Sequence, residues 1–335
     1  MLWKGGGAAV EFASKRAMAV RHDVRQIARM APRTTVLCVV AGLLIGDVGS
    51  VSAQSVSWVP ERPVQGSLVR LEVTRSAGDT ALLRGTMAGE PLHFVAVGGG
   101  RVAALAAIPM DTRDSIVATL TAGDSALIRV VIPVKRGVYG SEKLTVAPNM
   151  ARPPDSATAK RIAAENAQAL AIAHRAHDTP QLWHAPFVAP RTSRITDNYG
   201  RARTYNGIVE SRHYGTDFQG QMGDPVQAPN AGVVALVADF YLAGKVLYID
   251  HGAGLVTGYF HLSEALVSRG DTVKTGQLIG KVGKSGRVTG PHLHWSVRYG
   301  ATSVDPASLL RLEGASPTGG SASRGTPPPL SLRRR

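Results

Sequence analysis

Two histidines one residue apart, His292 and His294, carry the first chemical signal in this chain. Side chains on a β-strand alternate faces, so residues i and i+2 point the same way. Both imidazoles would then enter one site, while Leu293, Trp295 and Val297 face the other way, into a core. Alone, the pair describes two exposed or hydrogen-bonded strand histidines equally well. Two further polar clusters lie upstream. Residues 211–217 pair His213 with the carboxylate of Asp217, and residues 259–263 add His261. His213 and Asp217 are four apart, a spacing that shares a helix face, but Gly215 and the β-branched Thr216 between them favour a strand or loop. Three nitrogen or oxygen ligands with one open position make a catalytic zinc site, and these clusters supply the candidates.

The order of the clusters resembles that of the lysostaphin-type (LytM-like) zinc metalloendopeptidases, which cut bacterial peptidoglycan. That family has His-x-x-x-Asp, then a His before Leu-Ser, then His-x-His. Here these are His213 to Asp217, His261-Leu262-Ser263, and His292-Leu293-His294. The linking stretches Gly223 to Pro229, Ile249 to Gly252 and Gly283 to Gly286 are similar too, and the resemblance covers about residues 183–312. It implies that His213, Asp217 and His294 hold one Zn2+ per chain, with water in the fourth position and no organic cofactor. Two neutral imidazoles and one carboxylate would leave that site with an overall charge of about +1, and zinc would lower the pKa of its water and polarise the scissile carbonyl. It implies that His261 and His292 are catalytic, bonding the attacking water or the developing oxyanion, with the general base open between them. His251 is expected to serve a turn, and Tyr205 and Asn206 to line the groove and contact substrate. Gly215, Gly220 and Gly290 are expected to permit tight turns near the metal.

The formal net charge of +14 attracts polyanions. No aromatic–basic interleaving or nucleic-acid motif appears, so nucleic acid is disfavoured. A cell wall, with its stem-peptide carboxylates, is the better match, although an Arg-rich composition alone also gives such a charge. Hydrophobic content of 44% supports sizeable cores, and aromatics at 5% mean that these are built mainly from Val, Leu, Ile and Ala. The single cysteine, Cys38, excludes an intrachain disulfide framework and a cysteine zinc site.

The remaining elements position the clusters. Residues 1–53 read as a signal peptide, or an uncleaved N-terminal anchor, behind a basic leader: the apolar run 34–46 is short for a membrane span, cleavage is expected after Ala53, and Met30 is a candidate start. Residues 54–150 alternate short apolar runs with Gly-containing turns and read as an Ig-like β-sandwich accessory domain. Its role is open between wall targeting, binding a regulatory partner and covering the site; His93 within it is expected to be structural. Residues 151–181 read as a helical linker, N-capped by Asp155 or Ser156, with His174 and His177 as surface residues near its end. Residues 182–312 read as an antiparallel β metallopeptidase domain, and 313–335 as a disordered basic tail. The fold class is mainly β. The expected function is an exported (periplasmic, envelope or secreted) endopeptidase acting on peptidoglycan stem peptides or cross-links, touching membrane only through an uncleaved N-terminus. The alternative is a non-catalytic wall-binding or regulatory module that activates other wall hydrolases.

Overall fold

The computed structural model describes residues 55–312 except 77, 79–80, 124–126, 146–153 and 208. The expected export segment, with Met30 and Cys38, and the basic tail lie outside the described residues. Among the described residues no helix is long and apolar enough to cross a membrane.

The chain is mainly β. Up to residue 133 it forms β1 (Ser55–Val59), β2 (Leu68–Thr74), β3 (Leu83–Met87), β4 (Glu90–Pro91), β5 (Val95–Gly98), β6 (Arg101–Ala107), β7 (Ser115–Ala122) and β8 (Ile128–Pro133). These make two four-stranded antiparallel sheets, ordered β1-β2-β6-β5 and β4-β3-β7-β8. Alternation explains why they pack together. Val69, Leu71 and Val73 of β2 and Ala104 and Ala106 of β6 share one core with Met87, Leu120 and Ile132 of the other sheet. Leu68, Leu105 and Ala107, on the opposite face, join a second core instead.

A short strand, β9 (Ser141–Leu144), and a helix, α1 (Ser156–Arg175), follow. Asp155 caps α1 by accepting from the Thr158 amide at 2.7 Å. Ala169, Ile172 and Ala173 bury its inner face against Leu236, Val246, Tyr248 and Val256. The rest of the chain forms β10 (Ile195–Asp197), β11 (Ala202–Tyr205), β12 (Val209–Arg212), β13 (Thr216–Gln219), β14 (Pro225–Gln227), β15 (Gly232–Phe240), β16 (Gly244–Gly252), β17 (Leu255–Ala265), β18 (Thr272–Val273), β19 (Leu278–Val282), β20 (His292–Tyr299), β21 (Thr302–Val304) and the short helix α2 (Pro306–Arg311). The main sheet is ten-stranded and antiparallel, with β10-β13-β20-β17-β16-β15-β18 as its path. A separate sheet runs β12-β11-β9, in which β9 pairs parallel to β11, Glu142 lying opposite Arg203.

The second core joins both halves. Leu68, Leu105 and Ala107 pack with Trp183, Phe187, Leu247, Leu293, Trp295 and Leu309. Polar contacts cross the same boundary: the Tyr299 hydroxyl donates to the Pro91 carbonyl at 2.6 Å, and the Ala301 amide to Glu90 Oε1 at 2.7 Å. His177 is not a surface residue. It lies 2.8 Å from His93 Nε2 and 2.9 Å from Glu90 Oε2, and fills space that Cβ atoms at Gly254 or Gly300 would occupy. Its partners sit more than eighty residues away, so the local i, i+3 spacing with His174 gave no sign of them.

His251 lies within β16 rather than in a turn. It is fully buried, with Nδ1 2.7 Å from the Ala231 carbonyl and Nε2 2.8 Å from Thr257 Oγ1. Burial pushes its pKa down to about 4, against the hydrogen bond to Ala231, which raises it. Below the unfolded value of about 6.5, the unfolded chain therefore gains a proton that the folded chain refuses. Stability from this group is full above about pH 6.5 and is lost as pH falls toward 4, by about 3 kcal/mol in total. In urea titrations, the stability gap between wild type and His251→Asn should narrow between pH 7.5 and pH 4.5. A gap independent of pH would refute the assignment.

Candidate metal centre

The site stands on β13 and β20, which pair so that Asp217 lies opposite His294 and Gln219 opposite His292. Leu293, Trp295 and Val297 are completely buried on the far face of β20, which leaves His292 and His294 on the near face. His213 comes from the loop after β12. Backbone hydrogen bonds hold that loop, Gly200 N to the His213 carbonyl at 2.7 Å and His213 N to the Arg201 carbonyl at 2.9 Å.

Three side-chain atoms converge. His213 Nε2 is 2.9 Å from Asp217 Oδ1 and 3.0 Å from His294 Nδ1, and His294 Nδ1 is 2.9 Å from Asp217 Oδ1. His213 Nδ1 lies 2.9 Å from the Asn198 carbonyl, so in the neutral ring the proton sits there and Nε2 offers a lone pair. Burial would raise the Asp217 carboxyl, but hydrogen bonds and charge from His213 and His294 outweigh it and hold the group well below the usual carboxylate range. Burial lowers the pKa of His294. One carboxylate oxygen and two imidazole nitrogens thus converge within 3.0 Å of one another. That donor set fits a metal cation. A tetrahedral zinc site with bonds of about 2.0–2.2 Å has ligand atoms roughly 3.3–3.6 Å apart, so the triangle needs to open by only about 0.5 Å.

His261 reaches the site by a different route. Along β17, Tyr259 and Leu262 both face the second core, which strict alternation forbids. The register with β16 slips here, Leu262 pairing with Lys245 but Tyr259 with Leu247, and His261 takes a φ of +61°. This bulge aims the imidazole toward the site, 5.0 Å from the His292 ring and 6.0 Å from the His294 ring, centroid to centroid. Burial first, then His294 and His292, drive its pKa down to about 3, so it stays neutral. His261 Nδ1 lies 2.9 Å from the Ser285 carbonyl, and His292 Nδ1 2.9 Å from the Gly290 carbonyl. In each neutral ring the proton is therefore fixed on Nδ1, and Nε2 is the basic nitrogen.

Asp217, His261, His292 and His294 line one groove of about 330 Å³, whose walls include Tyr205, Arg203 and the loop 287–291, while His213 lies buried behind them. Tyr205 is a buried wall residue, whereas Asn206 lies in the turn after β11 with a φ of +50°. Residues not singled out from the sequence complete the site. Arg203 pairs with Asp197 and reaches Asp217 Oδ2 at 3.4 Å, which orients the oxygen that faces away from His213. The Phe260 ring stacks on His294 at 5.0 Å and 8°. Neither partnership has a signature in local spacing.

Gly215 is required for space rather than for a turn. A Cβ there would lie 2.4 Å from His294 Nε2 and 2.6 Å from the Trp295 carbonyl oxygen. Backbone cannot yield as a flexible side chain does, so Gly215→Ala should displace His294 and weaken metal affinity by about 10–100-fold, by analogy with loss of an orienting partner. Competition with a chromophoric chelator measures this, and unchanged affinity would refute it. Gly220 also lacks a positive φ, and a Cβ there would meet Val282 and Arg191.

Comparison with known proteins follows the same stretch. The model of peptidase family M23 matches residues 211–306. Peptidoglycan DD-endopeptidase ShyA of Vibrio cholerae is 46% identical over 105 residues, 31% of this chain and 24% of ShyA. The chain thus spans less than a third of the length of the first curated relatives that it matches. A crystal structure from Pseudomonas aeruginosa assigned to peptidase M23 is 27% identical, with a TM-score of 0.59 over 74% of this chain and 95% of that one. The catalytic domain of lysostaphin from Staphylococcus simulans is 32% identical over 35% of this chain and 92% of its own, with a TM-score of 0.32. The segment 211–306, which carries His213, Asp217, His261, His292 and His294, is therefore a peptidase M23 domain.

Proposed function

We propose that the chain is an exported zinc-dependent endopeptidase that hydrolyses peptide bonds in bacterial peptidoglycan. The observation that carries this reading is the triangle of His213 Nε2, Asp217 Oδ1 and His294 Nδ1 beside two further histidines in one groove. His213, Asp217 and His294 would hold the ion, which when bound supplies Lewis acidity toward a water and a carbonyl oxygen. The chain's own residues do the rest. His261 and His292, each with its proton fixed on Nδ1 by a backbone carbonyl, present Nε2 to accept a proton from water or, once protonated, to hydrogen-bond the developing oxyanion. One of them then returns a proton to the leaving amine. Arg203 keeps Asp217 oriented, and Tyr205 lines the path of the peptide.

Residues 54–150 are proposed as an Ig-like accessory domain, 151–181 as its helical linker and 182–312 as the peptidase domain. Stem peptides or cross-links are the proposed substrates and the cell envelope the proposed location. The names of the DD-endopeptidase relatives support that substrate class. The regulatory alternative loses weight because all five site residues are present, His213, Asp217 and His294 in the triangle and His261 and His292 beside it. The test is incubation of the zinc-loaded protein with purified peptidoglycan and defined muropeptides, read by mass spectrometry. New peptide termini that a chelator removes are the expected result, and none from protein shown to hold zinc would favour the regulator.

A further inference from the structure

Arg287 stands apart from the other cations of the groove. Arg201 pairs with Asp197 at 3.0 Å and with Glu142 at 3.8 Å. Arg203 pairs with Asp197, with Asp217 at 3.4 Å and with Glu142 at 3.9 Å. Those three carboxylates are already engaged, and among the described residues no carboxylate lies within ion-pairing distance of Arg287. Its guanidinium lies over the buried Tyr205 ring, 5.1 Å from the centroid. Arg287 is itself half-buried, so part of its hydration is lost without an anion in return.

The loop that presents it is rigidly seated. The Arg287 amide donates to the Leu242 carbonyl at 2.8 Å. Ser285 Oγ donates to the Leu262 carbonyl and accepts from the Lys245 amide, both at 2.8 Å. A Cβ at Gly286 would strike backbone atoms of Leu242 and Gly244. A guanidinium held over an aromatic face keeps its in-plane N–H donors for a bidentate carboxylate, the partner its fork matches. These donors border the groove that also contains His261, His292 and His294.

We infer that Arg287 is a specificity-determining residue that receives a free carboxylate of the peptide occupying the groove. This rests on the peptidoglycan reading above. It selects stem peptides with free carboxylates over amidated stems and over neutral bridges.

The test uses the full chain, zinc-loaded, and two uncross-linked stem tetrapeptides, one with free and one with amidated carboxylates, titrated by calorimetry at fixed ionic strength. Cleavage of the corresponding cross-linked dimers runs in parallel. The free acid should bind at least about tenfold more tightly to wild type, the size of one hydrogen-bonded charge. That ratio should fall to about one in Arg287→Gln and recover in part in Arg287→Lys, and in cleavage it should appear in KM. The ratio is taken within each variant, so partial unfolding cancels. Equal affinities in wild type, or a ratio retained in Arg287→Gln, would overturn the inference. Cleavage without carboxylate preference sinks the inference and leaves the hydrolase. A preference lost in Arg287→Gln, without any cleavage, sinks the hydrolase and leaves Arg287 as a peptide-binding residue.

Discussion

Replacing His294 with alanine should lower peptidoglycan cleavage by at least about a thousandfold, because it would remove one of the three proposed metal-holding atoms and not merely an orienting one. His294 Nδ1 lies 2.9 Å from Asp217 Oδ1 and 3.0 Å from His213 Nε2, so its loss leaves a two-atom site. Bound zinc should fall from one per chain to near zero at micromolar free metal. The metal-free fold should change little, since Leu293 and Trp295 on the opposite face of β20 carry the packing. His261→Ala makes the informative contrast. It leaves the triangle intact, so zinc should remain while turnover falls. Atomic absorption and mass spectrometry of released peptides measure the two quantities. Full zinc and full cleavage in His294→Ala would remove the proposed centre.

Trp183→Ala should cost about 3–5 kcal/mol of stability, the range for emptying a large aromatic site in a core. Trp183 is 1% exposed and shares its core with Leu68 and Leu105 from one half of the described chain and Leu247, Leu293 and Trp295 from the other. The Phe187 ring meets it edge-on at 5.6 Å. Among the described residues its indole nitrogen has no hydrogen-bond partner, so Trp183→Phe forfeits volume but no polar contact and should cost less than half as much. Because the core spans both halves, far-UV circular dichroism and tryptophan fluorescence should report one coincident urea transition that shifts as a whole. Two transitions, with only one displaced, would show that the halves unfold separately.

The parts of the site that follow strand period were legible in the sequence. The shared face of His292 and His294, the burial of Leu293, Trp295 and Val297, and the extended rather than helical setting of Asp217 need only alternation and β-branching. The aim of His261 was not, because it depends on a bulge and a positive φ that its neighbours do not announce. The roles of Arg203 and Asp197 were hidden for another reason. Ion pairs between residues brought together by folding leave no periodic trace, and these two sit among many arginines and aspartates. Gly215 reads in the sequence only as a turn glycine; packing shows that His294 and the Trp295 carbonyl fill the space its missing Cβ leaves.

The short strand β9 sets a rule for recombining this protein. It leaves the first two sheets, pairs with β11 from the far side of α1, and brings Glu142 to the arginines that hold Asp197 and Asp217. A chimaera joined within 151–181, the natural place to cut by composition, would import one parent's groove wall and counter-charge into the other parent's metal centre. A crossover between 134 and 140 keeps β9 with the arginines it neutralises, and exchanges the first two sheets without rewriting the charge of the groove.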